Sequence, residues 1–390
     1  MNWDDIIIDA AATDTGMRRS NNQDSFTVVR APNAEVWRNR GHLFMVADGM
    51  GAHAVGELAS KMACDLIPHS YMKAKTGSAA ESIVKSFREV SALINSRAAA
   101  NRDFQGMGTT CSTLLLLPEG CLVAHVGDSR VYRIRQDRID QLSFDHSLVW
   151  ELVRRNHLTP EQANLSVPKN VITRSLGPES DIEVDVEGPL AVQLADVYLL
   201  CSDGLSGPVS DEEIGVYAGH FHPRDACRYL VHLANLRGGL DNITVLIVRI
   251  GPWVDPDSAE TVHQNPPERR DRKRRVALSW KERVLDLLRR RKPVLALAPE
   301  DEHRYRSTHC AISASLIDRI SELTEQVREQ AIEQAWSIDW NELSRRRRKI
   351  SEARSSGNQW VILRELGEIV SLLGQAARFR RKGSGAANVL

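Results

Sequence analysis

The chain has 390 residues, room for two or three domains, and 42% of them are apolar, enough for a substantial core. That excludes collagen-like, wholly disordered and mini-protein classes. Lys plus Arg and Asp plus Glu both total 51, which excludes a uniformly basic nucleic-acid binder. The balance is uneven, however: residues 1–254 carry 24 basic and 31 acidic side chains, net −7, and residues 255–390 carry 27 and 20, net +7.

Short runs rich in Val, Ile and Leu, bounded by Gly, Pro, Asp or Asn, predict strands at 6–13, 25–30, 42–47, 109–117, 121–126, 131–135, 182–186, 197–201 and 243–250. Helical patterns fall at 54–72, 78–102, 147–157, 210–218 and 223–236; in the second, Ile83, Phe87, Val90 and Ile94 recur at helical spacing. Nine strands with few helices between them do not make a βαβ pattern. An α+β fold is expected, with two antiparallel sheets packed face to face and helices outside.

At 251–271 the composition changes: Gly251, Pro252, Pro256, Pro266 and Pro267 lie among polar residues and read as a linker. A basic amphipathic segment follows at 273–292. It suits an anionic surface, or a solvated helix whose charge maintains solubility. From 307 to 380, Leu316, Ile320, Leu323, Val327, Ala331 and Ala335 form one helical stripe, and Ile362, Leu366, Ile369 and Leu373 another. Arg345–Lys349 lies between them and reads as a cap on the C-terminal end of the preceding helix. A helical hairpin serving interaction or self-association is expected. The chain then divides into an acidic globular unit (1–254), a Pro-rich and basic linker (255–306) and a helical module (307–390) that folds separately.

Six cysteines (Cys64, Cys111, Cys121, Cys201, Cys227 and Cys310) include no Cys-x-x-Cys pair and no zinc-finger spacing. Four lie in or beside apolar runs, which fits a reducing compartment. Asp4 and Asp5 precede Ile6–Ile8, the wrong charge order for a signal peptide, and apolar runs such as 114–117 are too short to span a bilayer. A cytoplasmic protein with no transmembrane segment and no specific nucleic-acid partner is expected.

Aspartates recur where strand-like runs end: Asp48-Gly49, Asp128 after Gly127, Asp203-Gly204 and Asp241-Asn242. One such pair would be read as a turn. Four, each delivered by a buried-type strand, can converge, and crowded carboxylates repel unless a cation sits among them. Oxygen ligands favour Mg²⁺ or Mn²⁺ over zinc. No Cys-x5-Arg phosphate loop is present.

The ordered segments are Asp14-x-Gly16-x-x-Arg19-x-x-Asn22-Gln23-Asp24, Val46-Ala47-Asp48-Gly49-Met50-Gly51-Ala52-His53, Gly56-Glu57-x-Ala59-Ser60, Gly106-Met107-Gly108-Thr109-Thr110, Val126-Gly127-Asp128-Ser129-Arg130-Val131-Tyr132, Asp145-His146-Ser147, Ile172-Thr173-Arg174-Ser175-Leu176-Gly177, Leu200-Cys201-Ser202-Asp203-Gly204-Leu205 and Asp241-Asn242-Ile243-Thr244. Over residues 6–250 this set closely resembles the metal-dependent serine/threonine protein phosphatases of type 2C, in their compact bacterial form. The resemblance implies a four-layer α-β-β-α sandwich with a metal site at one end. It implies that Asp48 bridges two Mn²⁺ or Mg²⁺ ions, that the Gly49 carbonyl helps hold the first, and that Asp203 and Asp241 hold the second. Asp24 would contact the cluster mainly through water, and Asp128 would help bind a possible third ion. Arg19 would grip the substrate phosphate and His53 would act as general acid. His146 reads as structural, beside a variable flap at 145–180.

The implied activity is hydrolysis of phosphoserine and phosphothreonine on proteins through a metal-bridging hydroxide, reversing a bacterial-type Ser/Thr kinase. A phosphoprotein-binding adaptor and a partner-switching regulatory phosphatase are the alternatives. Two departures from the family pattern stand out. Ala52 replaces a usual glycine, and Gln23 stands where bacterial members often have Glu, removing one negative charge near the metals.

Overall fold

The structure is a computed structural model and describes residues 6–51, 55–154, 171–254 and 305–387. Expectations for Ala52, His53, the middle of the flap (155–170) and the 273–292 segment lie outside the described residues.

The first strands are β1 (Ile7–Asp14), β2 (Asp24–Val29) and, after a short helix α1 (Ala34–Arg40), β3 (His42–Met50). Helices α2 (Val55–Lys73) and α3 (Ala79–Ala100) follow; the Ser78/Glu81 capping box starts α3. Then come β4 (Gly108–Thr109), β5 (Cys111–Leu117), β6 (Gly120–Val126), β7 (Arg130–Arg135), β8 (Arg138–Gln141), α4 (Leu148–Arg154), β9 (Asp185–Leu190) and β10 (Val197–Cys201). The helices α5 (Asp203–Ser206), α6 (Asp211–His220) and α7 (Pro223–Leu236) precede β11 (Ile243–Ile250). The C-terminal region supplies β12 (Arg306–His309), α8 (Ala314–Glu333), α9 (Trp340–Ser356) and α10 (Gln359–Ala387).

One antiparallel sheet has the order β1-β11-β10-β7-β8-β12, the other β2-β3-β5-β6-β9, with β4 joined to β3. Strand β3 shows why the strands read as continuous apolar runs rather than alternating ones. Phe44 and Val46 face the other sheet with Leu114, Val123, Tyr198, Leu200, Leu246 and Val248. Leu43, Met45 and Ala47 face α2 and α3 with Ile67, Phe87 and Ile94. Both faces are covered over 43–47, so that stretch is apolar throughout, and the polar residues His42 and Asp48 stand toward the ends of the strand. The α+β four-layer architecture is thus realised. The sequence reading misses the short or edge pieces α1, β4, β8, α5 and β12, and also the 17-residue α9, whose run of Arg and Lys carries no apolar stripe to mark it.

The two C-terminal stripes become α8 and α10, with α9 between them. Arg345–Lys349, expected as a helix-end cap, lies within α9 instead. Arg and Lys are good helix formers, and their charges are matched laterally: Arg346 Nη1 lies 2.9 Å from Glu365, Arg347 Nη2 2.9 Å from Glu325, and Lys349 Nζ 3.5 Å from Glu365.

The Pro-rich stretch suggests separation in space, but the structure shows docking. Strand β12 extends the first sheet by pairing with β8, Arg306 opposite Gln141 and His309 opposite Arg138. Leu316, Ile317, Ile320, Ile362, Leu363, Leu366 and Val370 share one hydrophobic cluster with Ile214, Tyr217, Tyr229 and Leu230 of α6 and α7. The apolar stripes therefore have their partner face within this chain. Among the described residues no helix is long and apolar enough to cross a membrane.

Candidate metal centre

The antiparallel registers bring the ends of several strands to one end of the sandwich. Asp24 opens β2 directly opposite Asp48 near the end of β3. Asp128 follows β6, Asp203 follows β10, and Asp241 precedes β11, whose first residue Ile243 lies opposite Asp14, the last of β1. Gly49 pairs with Thr109 across β3 and β4.

Backbone and neutral side chains hold these positions. Ser202 Oγ donates to Asp24 Oδ2 at 2.7 Å and accepts the Thr244 N–H at 2.9 Å. Asn242 Oδ1 accepts the Gln23 N–H at 2.8 Å, while its Nδ2 donates to the carbonyls of Thr15 (3.0 Å) and Asn21 (2.9 Å). Asn242 thus stitches the Arg19-bearing loop to the Asp241 turn. Ser202 and Asn242 were visible within the motifs but carried no assigned role, because only their long-range partners reveal one. Two glycines permit the close approach. Gly16 has φ +74°, and a Cβ there would lie 2.0 Å from the Asp241 carbonyl oxygen. A Cβ on Gly49 would lie 2.0 Å from the Gly56 carbonyl oxygen.

The electrostatics are those of crowded acids. Burial pushes the Asp48 carboxyl well above its ordinary value, reinforced by the charges of Asp24, Asp203, Asp128 and Asp241. Burial pushes Asp24 up to about 7 against the hydrogen bonds from Ser202 and Thr244. Asp128 is likewise pushed up to about 7 by burial and then by Asp203. Asp203 is raised by burial and Asp241, partly offset by a hydrogen-bonding contact with Asp48 and by the Arg19 charge. Arg19 Nη2 meets Asp241 Oδ2 at 2.7 Å, and that bond raises the guanidinium pKa.

Five of the six acidic or carbonyl ligand candidates are therefore carboxylates gathered at one place. Among the described residues no three His, Cys, Asp or Glu side chains close tightly enough to enclose an ion as they stand; Asp241 turns one oxygen to Arg19. Yet Asp24 Oδ1, Asp128 Oδ1 and Asp203 Oδ1 are buried with no hydrogen-bond partner. Buried anionic oxygens without donors are costly, and an all-oxygen set suits Mg²⁺ or Mn²⁺. The residues fit a divalent-ion site. Thiol chemistry fits poorly: all six cysteines are buried, and burial pushes Cys111, Cys201 and Cys310 up to about 12.

His146 is structural, as expected. Its Nδ1 accepts the Gly127 N–H at 3.1 Å and its Nε2 lies 3.0 Å from Asp185 Oδ2. It lines a cleft of about 400 Å³ with Phe144, Asp145, Trp150, Glu151, Arg174 and Asp185, which contains none of the ligand candidates.

Comparison with known proteins agrees with this arrangement. Residues 17–232 match the family model described as protein phosphatase 2C. The protein phosphatase PhpP of Streptococcus pneumoniae is 36% identical over 240 residues, covering 60% of this chain and 94% of that protein. The serine/threonine phosphatase stp of Listeria monocytogenes is 35% identical over 243 residues, covering 60% and 93%. Among solved structures, the Mycobacterium tuberculosis serine/threonine phosphatase PstP/Ppp superposes with TM-score 0.56 at 31% identity, covering 63% of this chain and all of that one. A structure of the PstP catalytic domain in complex with two manganese ions superposes with TM-score 0.54 at 32% identity, covering 63% and 99%. With its two-sheet sandwich, its strand-end aspartates and a family match over more than half its length, the chain belongs to the protein phosphatase 2C family and is a protein phosphatase.

Proposed function

We propose that the protein hydrolyses phosphoserine and phosphothreonine on proteins using two divalent ions, Mn²⁺ or Mg²⁺, held by Asp48, Gly49, Asp203 and Asp241, with Asp24 in support and Asp128 at a third. The observation that carries this reading is the group of buried, donor-less carboxylate oxygens at one sandwich end. The chemistry that bound ions supply is an activated water at neutral pH and neutralisation of phosphoryl charge. Arg19 binds the phosphate: it is half exposed, its guanidinium already sits at the carboxylate cluster, and its planar fork matches two phosphoryl oxygens. His53, outside the described residues, serves as the acid that protonates the leaving alkoxide. Residues 1–254 form the catalytic domain, 255–306 the connection and 307–390 the helical module; every proposed ligand precedes Ile243. The opposing activity is a Ser/Thr kinase, and the compartment is the cytoplasm, in keeping with six free thiols.

Arg19→Ala is expected to raise KM for a phosphothreonine peptide by roughly tenfold, with a smaller effect on kcat, because its charge contacts ground state and transition state alike. Steady-state kinetics with Mn²⁺ checks this; unchanged constants would reject the phosphate-binding role.

The raised acids also set a pH dependence. Asp24 and Asp128 ordinarily titrate near 3.8 but reach about 7 in the fold. Folding therefore favours their protonated forms. The associated stability is complete below about 3.8 and is lost as pH rises through about 7. In chelator, the melting temperature is expected to be lower at pH 8 than at pH 6. Added Mn²⁺ should raise it more at pH 8, where it replaces the missing protons. Equal metal-induced shifts at both pH values in a thermal melt would contradict the site.

A further inference from the structure

Helix α10 reaches the phosphate-binding loop. Gly367, Gly374, Arg378 and Arg381 are spaced by seven, four and three residues, so they share one face. At its upstream end this face lies close against α7: a Cβ on Gly367 would sit 2.9 Å from the Tyr229 ring, and one on Gly374 2.5 Å from His232 Nδ1. Arg228 Nη2 and Tyr229 Oη both donate to Glu368 Oε1, at 2.9 and 2.5 Å. These contacts fix the axis of α10 against α7.

At the downstream end the same face meets residues 14–19. Arg378 Nη1 lies 2.5 Å from Asp14 Oδ2, a charge contact rather than an aligned hydrogen bond. Asp14 is almost fully buried, and its other oxygen accepts the Gly16 N–H at 2.8 Å. Arg381 donates through Nη1 to the Gly16 carbonyl and through Nη2 to the Arg19 carbonyl. On the far side of the loop, Met17 and Arg18 donate their N–H groups to the Gly239 carbonyl at 2.7 and 3.1 Å, and Asn242 holds Thr15. The loop that carries Arg19 is therefore clamped between the turn before Asp241 and the end of α10. Neither α10 arginine contacts the candidate ligands; each touches the loop's backbone or its anchoring carboxylate.

We propose that Arg378 and Arg381 are positioning residues for phosphate binding, acting through Arg19, so that the C-terminal helices complete the substrate site of the phosphatase domain. This rests on the reading of Arg19 as the phosphate-binding residue. A guanidinium bridging two carbonyls of one loop fixes their separation as no single N–H contact does. A small displacement of the loop carries the Arg19 fork away from the geometry a phosphoryl group needs.

The test uses the full chain with Mn²⁺ and a phosphothreonine peptide, measuring kcat and KM separately. Arg381→Ala and Arg378→Ala are each expected to raise KM roughly three- to tenfold, with kcat changed less than about twofold. Arg381→Lys, which keeps the charge and a donor nitrogen but loses the two-nitrogen fork, should restore part of the loss. Arg380→Ala, on the same helix turn but directed at Gln334 and Trp336, should have no effect. In an Arg19→Ala background the Arg381→Ala effect should vanish, because its route to substrate is gone. A raised KM in Arg19→Ala with unchanged KM in both α10 variants overturns the proposal alone. An Arg381→Ala effect that persists undiminished in the Arg19→Ala background also overturns it, showing a general structural role. If Arg19→Ala leaves KM unchanged, the reading of Arg19 fails and this proposal fails with it. Thermal melts accompany each variant. Should Arg378→Ala not fold, Arg381→Ala and Arg381→Lys decide alone.

Discussion

Asp48→Asn and Asp203→Asn are each expected to lower kcat by roughly 10³-fold or more while making the metal-free protein more stable. The loss follows from removing a charged oxygen from the proposed ion site without changing side-chain shape. The gain follows from the same crowding. Asp48 is held well above its ordinary pKa by burial and by four neighbouring carboxylates, so removing its charge relieves a cost the fold carries without cations. Two measurements check the pair of effects: turnover of a phosphothreonine peptide with saturating Mn²⁺, and thermal melting in chelator at pH 8. A variant that retained turnover within tenfold of the parent, or that melted lower than the parent in chelator, would be incompatible with a charge-crowded ion site at these residues.

The second large effect concerns the C-terminal helices. Ending the chain after Val254 uncovers the outer face of α6 and α7, where Tyr217, Tyr229 and Leu230 now pack on Leu316, Ile320, Leu363 and Leu366. Each fully buried aliphatic side chain of that kind contributes about 1.5–3 kcal/mol. The fragment is expected to melt roughly 10 °C or more below the full chain and to self-associate through the bared face. Gly374→Leu in the full chain should shift melting the same way by less, because a side chain there meets His232 and overpacking costs about 1–3 kcal/mol. Calorimetry and size-exclusion chromatography check both. A monomeric fragment with an unchanged melting temperature would show that the docked helices contribute nothing to the stability of the catalytic sheet.

The strand-end aspartates illustrate what a linear pattern can carry. Asp48, Asp128, Asp203 and Asp241 each follow or precede a short apolar run rich in Val, Ile and Leu beside a turn residue, and such a run reads as a strand buried on both faces. Strands of one antiparallel sandwich end together, so the acids at those ends gather. The register of Asp24 opposite Asp48 is a consequence of that rule. Short pieces such as β8 and the edge strand β12 escaped because four residues of mixed polarity are too few to leave a periodic signature.

By itself, then, the sequence determined the two-sheet sandwich, its flanking helices and the strand-end aspartates that make up the candidate ion site, because burial on both faces and the chemistry of aspartate are local properties of residue type and spacing. It also determined two apolar helical stripes near the C-terminus, but not what they face. Only the tertiary structure decided that they cover α6 and α7, that Asn242 and Ser202 brace the site, and that Arg378 and Arg381 reach residues 14–19. The physical reason is distance along the chain. Arg381 and Gly16 stand 365 positions apart, and a side chain's periodicity reports that it has a buried face but carries no information about which distant surface covers it.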